Sequence, residues 1–218
     1  MKKIILSFIS VIMIASLSFG QDAKKSSDFF TGIIEYEFSY PESENLDAMI
    51  KAQLPNKATA YYGIGQKKSV QVTPSMRMTN IAKDNDNKYE IYLYIDAMGQ
   101  KMYINRDVEK EDLKESYEDF KVEKFPNEKK TIAGYECFKI VYSSDDVDNV
   151  VSYVTEEIQN DIVNDEKPFN YIELYQEVEV NGIKIIFTAT NVSKKSLKDK
   201  EFKLLNGYQE VPAEMLGL

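Results

Sequence analysis

Residues 171–192 read Y-I-E-L-Y-Q-E-V-E-V-N-G-I-K-I-I-F-T-A-T-N-V, two alternating runs joined by Asn181-Gly182. Asn-Gly at a two-residue connection favours a type I′ turn, because both residues tolerate positive φ. That loop length sets the register: Val180 faces Ile183, Val178 faces Ile185, Gln176 faces Phe187 and Leu174 faces Ala189. All eight then share one face, and seven of them are apolar, while Glu173, Tyr175, Glu177 and Glu179 point the other way. Turn chemistry and both strand patterns agree, so the segment reads as an antiparallel hairpin with one buried face.

Upstream, Phe30–Tyr40 alternates in the same way before Pro41 stops it. From Lys57 to Asn105 the chain reads as a meander, with strands at 60–62, 69–72, 76–82, 89–95 and 101–104. Turn residues separate them: Gly63 to Gly65, Thr73-Pro74, Asp84 to Asn87 and Met98-Gly99. Residues 131–142 read as a strand entered through Gly134, and Val150–Val154 as another. Two or three short helices are expected between these groups. One covers 46–54, carrying Leu46, Met49, Ile50 and Leu54; another covers 107–120, with Leu113, Tyr117 and Phe120 on a narrow stripe. The third starts at Thr155 and carries Ile158, Ile162 and Val163. Residues 201–212 read as a short closing strand and turn. The expected class is α+β, a curved antiparallel sheet with two or three short helices packed on one side.

The N-terminus has the layout of an export signal. Lys2 and Lys3 precede an apolar run over 4–17, and Ser18-Phe19-Gly20 puts small residues at −3 and −1 of a cleavage site. Residues 1–20 are therefore expected to be a signal peptide, 21–28 a polar leader and 29–218 one domain. The apolar run falls short of the ~20 residues a transmembrane helix needs, so no membrane span is expected in the mature chain. The protein should be exported, to the periplasm first and outside the cell as the alternative.

Charge and composition exclude several functions. The 218 residues hold 27 basic and 36 acidic side chains, net −9, and loss of Lys2 and Lys3 takes the mature chain to −11. Such a surface repels phosphate backbones, so no nucleic-acid partner is expected. Histidine is absent, which removes Ser-His-Asp and Cys-His catalysis and imidazole-based zinc sites. Only a carboxylate-based enzyme stays open, and pairs such as Glu156-Glu157 and Glu177-Glu179 sit where solvated surface is expected. The chain reads as non-enzymatic, with no cofactor. Asp84 with Asp86, and Asp145, Asp146 and Asp148, read as turns with a weak calcium site as the alternative; the EF-hand pattern fails at Lys88 and Tyr89. The single Cys137 reads as a buried small hydrophobe.

The residues marked for ligand contact lie in the meander. Met76, Met78, Met98 and Met102 cluster in sequence with Tyr92, Tyr94 and Tyr103, and methionine suits surfaces that take varied apolar ligands. Core packing accounts for the same residues. Arg77 and Arg106 are the only arginines beside 25 lysines; Arg77 should project to the face opposite Met76 and Met78, as a salt bridge or a carboxylate clamp.

Three stretches carry a resemblance: T-I-A-G-Y-E-C-F-K-I-V-Y (131–142), V-S-Y-V-T-E-E-I (151–158) and F-K-L-L-N-G-Y-Q-E-V-P (202–212). They resemble an uncharacterised family of exported bacterial domains of unknown function, over about residues 29–212. The ending departs from the family pattern by lacking a proline before Gly207. That family is similar in fold to the LolA/LolB lipoprotein carriers. The resemblance implies an incomplete barrel with helices plugging its concave side, holding a lipid or acylated ligand. It also implies an arginine latch, for which Arg77 is the loosely comparable position. The alternative function is an envelope protein-interaction or structural module with a filled core and no small ligand.

Overall fold

The computed structural model describes residues 29–218 apart from 42–43, 45, 86, 111–120, 145–148, 161–169, 181 and 217–218. The predicted signal peptide and leader lie outside the described residues, as do Asp86 and Asp145–Asp148. One sheet of twelve strands dominates: β1 (Gly32–Ser39), β2 (Lys57–Gly63), β3 (Gln66–Val72), β4 (Met76–Asn85), β5 (Lys88–Ala97), β6 (Gln100–Glu109), β7 (Lys121–Ile132), β8 (Tyr135–Ser143), β9 (Val150–Gln159), β10 (Tyr171–Val180), β11 (Ile183–Lys194) and β12 (Gln209–Glu210). Their order is β12-β6-β5-β4-β3-β2-β1-β11-β10-β9-β8-β7. Two antiparallel meanders, β2–β6 and β7–β11, are thus joined through β1.

The meanders form because their turns are short and chemically suited. Met98-Gly99 (φ 52 and 79) and Ala133-Gly134 (φ 49 and 87) both place two successive residues at positive φ. That is the I′ geometry whose twist matches the flanking strands. The 171–192 hairpin pairs Val180 with Ile183, Val178 with Ile185 and Gln176 with Phe187. Gly182 sits at φ 74, while Asn181 lies outside the described residues. Glu173 departs from its expected place. It is 1% exposed and flanked by register shifts on the β9 side, so the bulge turns it inward.

The α+β expectation is corrected: among the described residues no helix packs on a concave side. Residues 46–54 form a single helical turn, α1 (Ala48–Lys51), ended before Pro55. The strand over 101–104 runs on to Glu109 as β6, and 111–120 lie outside the described residues. The expected helix from Thr155 is instead the continuation of β9, where Ile158 is fully buried. The run V-V-S-Y-V-T is rich in β-branched and aromatic residues, which fit a pleated buried surface better than a helix. Residues 162–163 lie outside the described residues.

One face of the sheet, called the inner face here, is apolar across both meanders. Ile34, Ala60, Met78, Leu93, Ile104, Ile140, Leu174 and Ile185 are all buried. Each large apolar side chain among them contributes about 1.5–3 kcal/mol relative to exposure. The register carries this face from Met78 opposite Ile95 to Phe38 opposite Phe187, with a polar break at β3, where Lys67, Ser69 and Gln71 stand opposite Ala82, Asn80 and Met78.

Candidate functional site

The chain leaves β11 at Lys194 and crosses the outer face of the first meander as a strap. A 3-10 turn (Asp199–Phe202) sinks Phe202 to zero exposure, so close to Gly63 that a Cβ there would lie 3.0 Å from the ring. Gln66 Nε2 donates to Asp199 Oδ1 at 3.1 Å and Lys68 Nζ to the Glu201 carbonyl at 2.5 Å. Tyr208 then meets Tyr94 edge-on at 5.1 Å. β12 pairs in parallel with Met102 and Tyr103 at the β6 edge. Beyond it Val211 and Ala213 pack on the inner-face cluster of Met78, Leu93, Ile95 and Ile104. The strap therefore binds both faces at one edge of the sheet.

This geometry divides the residues marked from sequence. Met78 is opposite Ile95, and Met102 is opposite Ile95 on the other side, so Met76, Met78 and Met102 share the inner face. Tyr94 pairs with Thr79 and Tyr103, which puts Tyr92, Tyr94 and Tyr103 on the outer face with Arg77. There Tyr92, Tyr94 and Tyr103 stack in series, with centroids 6.5 and 5.3 Å apart. Tyr94 is 2% exposed beneath the strap. Burial, with Glu90 beside it, pushes the Tyr92 hydroxyl up to about 12. Met98 belongs to neither group; it is 92% exposed at the β5–β6 turn. The eight residues do not converge on one cavity.

What the sequence reading missed is a buried polar cluster on the inner face of the second meander. Gln176 Nε2 donates to Tyr142 Oη at 2.5 Å and reaches Ser152 Oγ at 3.4 Å, and all three residues are at most 1% exposed. Among the described residues Gln176 Oε1 has no hydrogen-bond partner, and neither does Asn80 Oδ1 on the same face of β4. Nearby, Tyr36 Oη donates to the Glu173 carbonyl at 3.1 Å, and burial holds its pKa well above the usual tyrosine range. The available signal was Gln176, the one polar residue among eight on the hairpin's apolar face.

The other candidates resolve simply. Asp84 is a strand residue held by Lys110 at 2.5 Å, and among the described residues no three acidic or thiol side chains gather as a metal ion requires. Glu177 is paired with Lys184 at 2.5 Å and accepts from Tyr175 Oη at 3.1 Å; the lysine hydrogen bond holds its carboxyl below the usual range. Cys137 is fully buried and its thiol donates to the Tyr135 carbonyl at 3.6 Å. Burial pushes that thiol up to about 11. At pH 8 the native protein should therefore react with iodoacetamide at least tenfold more slowly than the urea-unfolded chain, since thiolate is the nucleophile. Equal rates by mass spectrometry would show that the β7–β8 hairpin opens freely.

The fold defines a class first: a large, open, curved antiparallel sheet locked along one edge by its own C-terminal segment. Within that class the chain belongs to the family described as Domain of unknown function (DUF4412), whose model matches residues 30–162. No curated protein matched the chain. Among solved structures, an uncharacterized conserved protein from Thermus thermophilus is similar at 7% identity and a TM-score of 0.36. The match covers 83% of this chain and 90% of that one. Among the described residues no helix is long and apolar enough to cross a membrane.

Proposed function

We propose that this is a non-catalytic, exported envelope protein that binds a hydrophobic ligand, an acyl chain or lipid-like cargo, against the inner face of its sheet. The observation that carries the reading is the pair of buried acceptors on that face, Gln176 Oε1 and Asn80 Oδ1, which have no donor among the described residues. A buried polar atom left unpaired costs about 1–3 kcal/mol, which a ligand with an amide or hydroxyl donor would offset. The flexible thioethers of Met76, Met78 and Met102 suit a contact surface of variable shape. The second reading, an envelope interaction module with a filled core, is favoured by the near-complete burial of Tyr142, Ser152 and Gln176.

The test is mass spectrometry of mature protein purified from its native envelope, under native conditions and after solvent extraction. A lipid or acylated molecule at near-stoichiometric amount is the expected result, with a mature N-terminus at Gln21. Clean apo-protein that takes up neither added fatty acid nor acylated peptide would transfer the assignment to the interaction module.

A further inference from the structure

Residues of β2, β3 and β4 enclose a groove on the outer face, separate from the inner apolar surface. We propose that this groove binds a small amphiphilic organic anion, its carboxylate or phosphate head held by Arg77 and its apolar body lying on Val70 and Val72. The cavity measures about 560 Å³, within the usual range of small-molecule sites. Register assembles it: Lys57 faces Val72, which faces Arg77, while Thr59 faces Val70 and Tyr61 faces Lys68. Cation and hydroxyl donors thus surround a two-valine floor, and Val72 is 47% exposed.

Arg77 is solvent-exposed and, among the described residues, makes no hydrogen bond or ion pair. Asp96, directly across on β5, sits 3.9 Å from Lys101 Nζ instead. An arginine fork with both edges open is the group that best matches a carboxylate or phosphate. Lys68 lies 4.3 Å over the Tyr61 ring, and burial together with the charge of Arg77 lowers its pKa, while Glu201 opposes the shift. Lys57 pairs with Glu37 at 3.3 Å on the rim. The positive island is small, in a chain of net charge −9. That overall charge disfavours a membrane or nucleic acid and favours a single free anion.

Methyl and aromatic NMR of the full mature chain tests this, titrating octanoate, octyl phosphate, octanamide and inorganic phosphate separately. Octanoate or octyl phosphate should shift Val70, Val72 and Tyr61 signals saturably, with at least tenfold weaker binding in Arg77→Gln and partial recovery in Arg77→Lys. Octanamide should bind at least tenfold more weakly than octanoate. Equal binding of octanamide, equal binding by Arg77→Gln, or inorganic phosphate matching octyl phosphate (an adventitious ion only) would each overturn it. Shifts confined to Leu93 and Ile95 would also overturn it while supporting the inner-face reading, so the two proposals fail separately. Binding only to phosphatidylglycerol vesicles would assign the groove to a membrane surface and overturn the free-anion proposal.

Discussion

Replacing Gly32 with alanine is expected to cost about 3 kcal/mol, the upper end of what forcing atoms into a filled site costs, and to lower the melting temperature by roughly 6–12 °C for a chain of this size. Among the described residues β1 is the only strand joining the two meanders, pairing with β2 on one side and β11 on the other. Gly32 faces Tyr62 across one ladder and Lys194 across the other. A Cβ at this position would lie 2.2 Å from the Ser193 carbonyl oxygen and 2.8 Å from the Phe30 ring. The carbonyl is backbone and cannot swing away without breaking the β1–β11 register. Phe30 is itself pinned, because its amide donates to the Gln159 carbonyl at 2.7 Å. Gly99→Ala is the control: nothing lies within 4 Å of its Cβ, so only the positive φ is penalised, by about 1–2 kcal/mol. Circular dichroism melting of both variants decides the matter. A Gly32→Ala protein that melts with the wild type would mean that the meanders are not joined in this register.

The same register explains how much was legible beforehand. Two-residue turns at Met98-Gly99 and Asn181-Gly182 could be read from residue types alone, and the strands they join stand where the alternation puts them. β7 escaped because K-V-E-K-F-P-N-E-K-K-T-I offers no apolar alternation. Almost every residue in it is exposed, and charge and proline are what an edge strand carries to resist pairing with other chains. The Thr155 helix was misread because Glu156 and Glu157 mimic a solvated helix start. They are simply the exposed residues of a strand whose Thr155 and Ile158 are buried.

The marked site residues were scattered for a reason open to arithmetic. A two-residue loop pairs residues of opposite parity, as in Asn85 with Lys88 and Ala97 with Gln100. Even-numbered Met76 and Met78 on β4 must therefore share a face with odd-numbered Leu93 and Ile95 on β5, not with Tyr92 and Tyr94. Proximity in sequence had grouped side chains that the turns send to opposite faces. The buried acceptor of Gln176 was beyond such reasoning, because its partners Tyr142 and Ser152 come from β8 and β9, 34 and 24 residues away.

Phe202→Ala should be the other severe substitution, and its failure should be local before it is global. Truncating a fully buried phenylalanine costs about 3–5 kcal/mol, or roughly 6–20 °C in melting temperature at this size. The ring seats the strap on Gly63, and the other attachments are a few polar contacts, one aromatic pair, the two-residue β12 and, beyond it, the packing of Val211 and Ala213. Exposed hydrogen bonds contribute little to holding a segment, so removal of the ring should free 195–208 while the twelve-stranded core persists. Lys195, Lys198, Lys200 and Lys203 lie in that segment and are exposed. Limited trypsin digestion of the variant at 25 °C should therefore cut there at least tenfold faster than in the wild type, and Tyr94 should gain solvent access. Tyr208→Ala is the graded comparison, since Tyr94 is only edge-packed against that ring at 5.1 Å; it should accelerate cleavage less and leave Phe202 seated. Unchanged cleavage in Phe202→Ala, with a normal melt, would mean that β12 and the inner-face contacts of Val211 and Ala213 hold the strap. Rapid cleavage with a normal melt would instead show the strap to be a separable element, free to leave Tyr92 and Tyr94 open on the outer face.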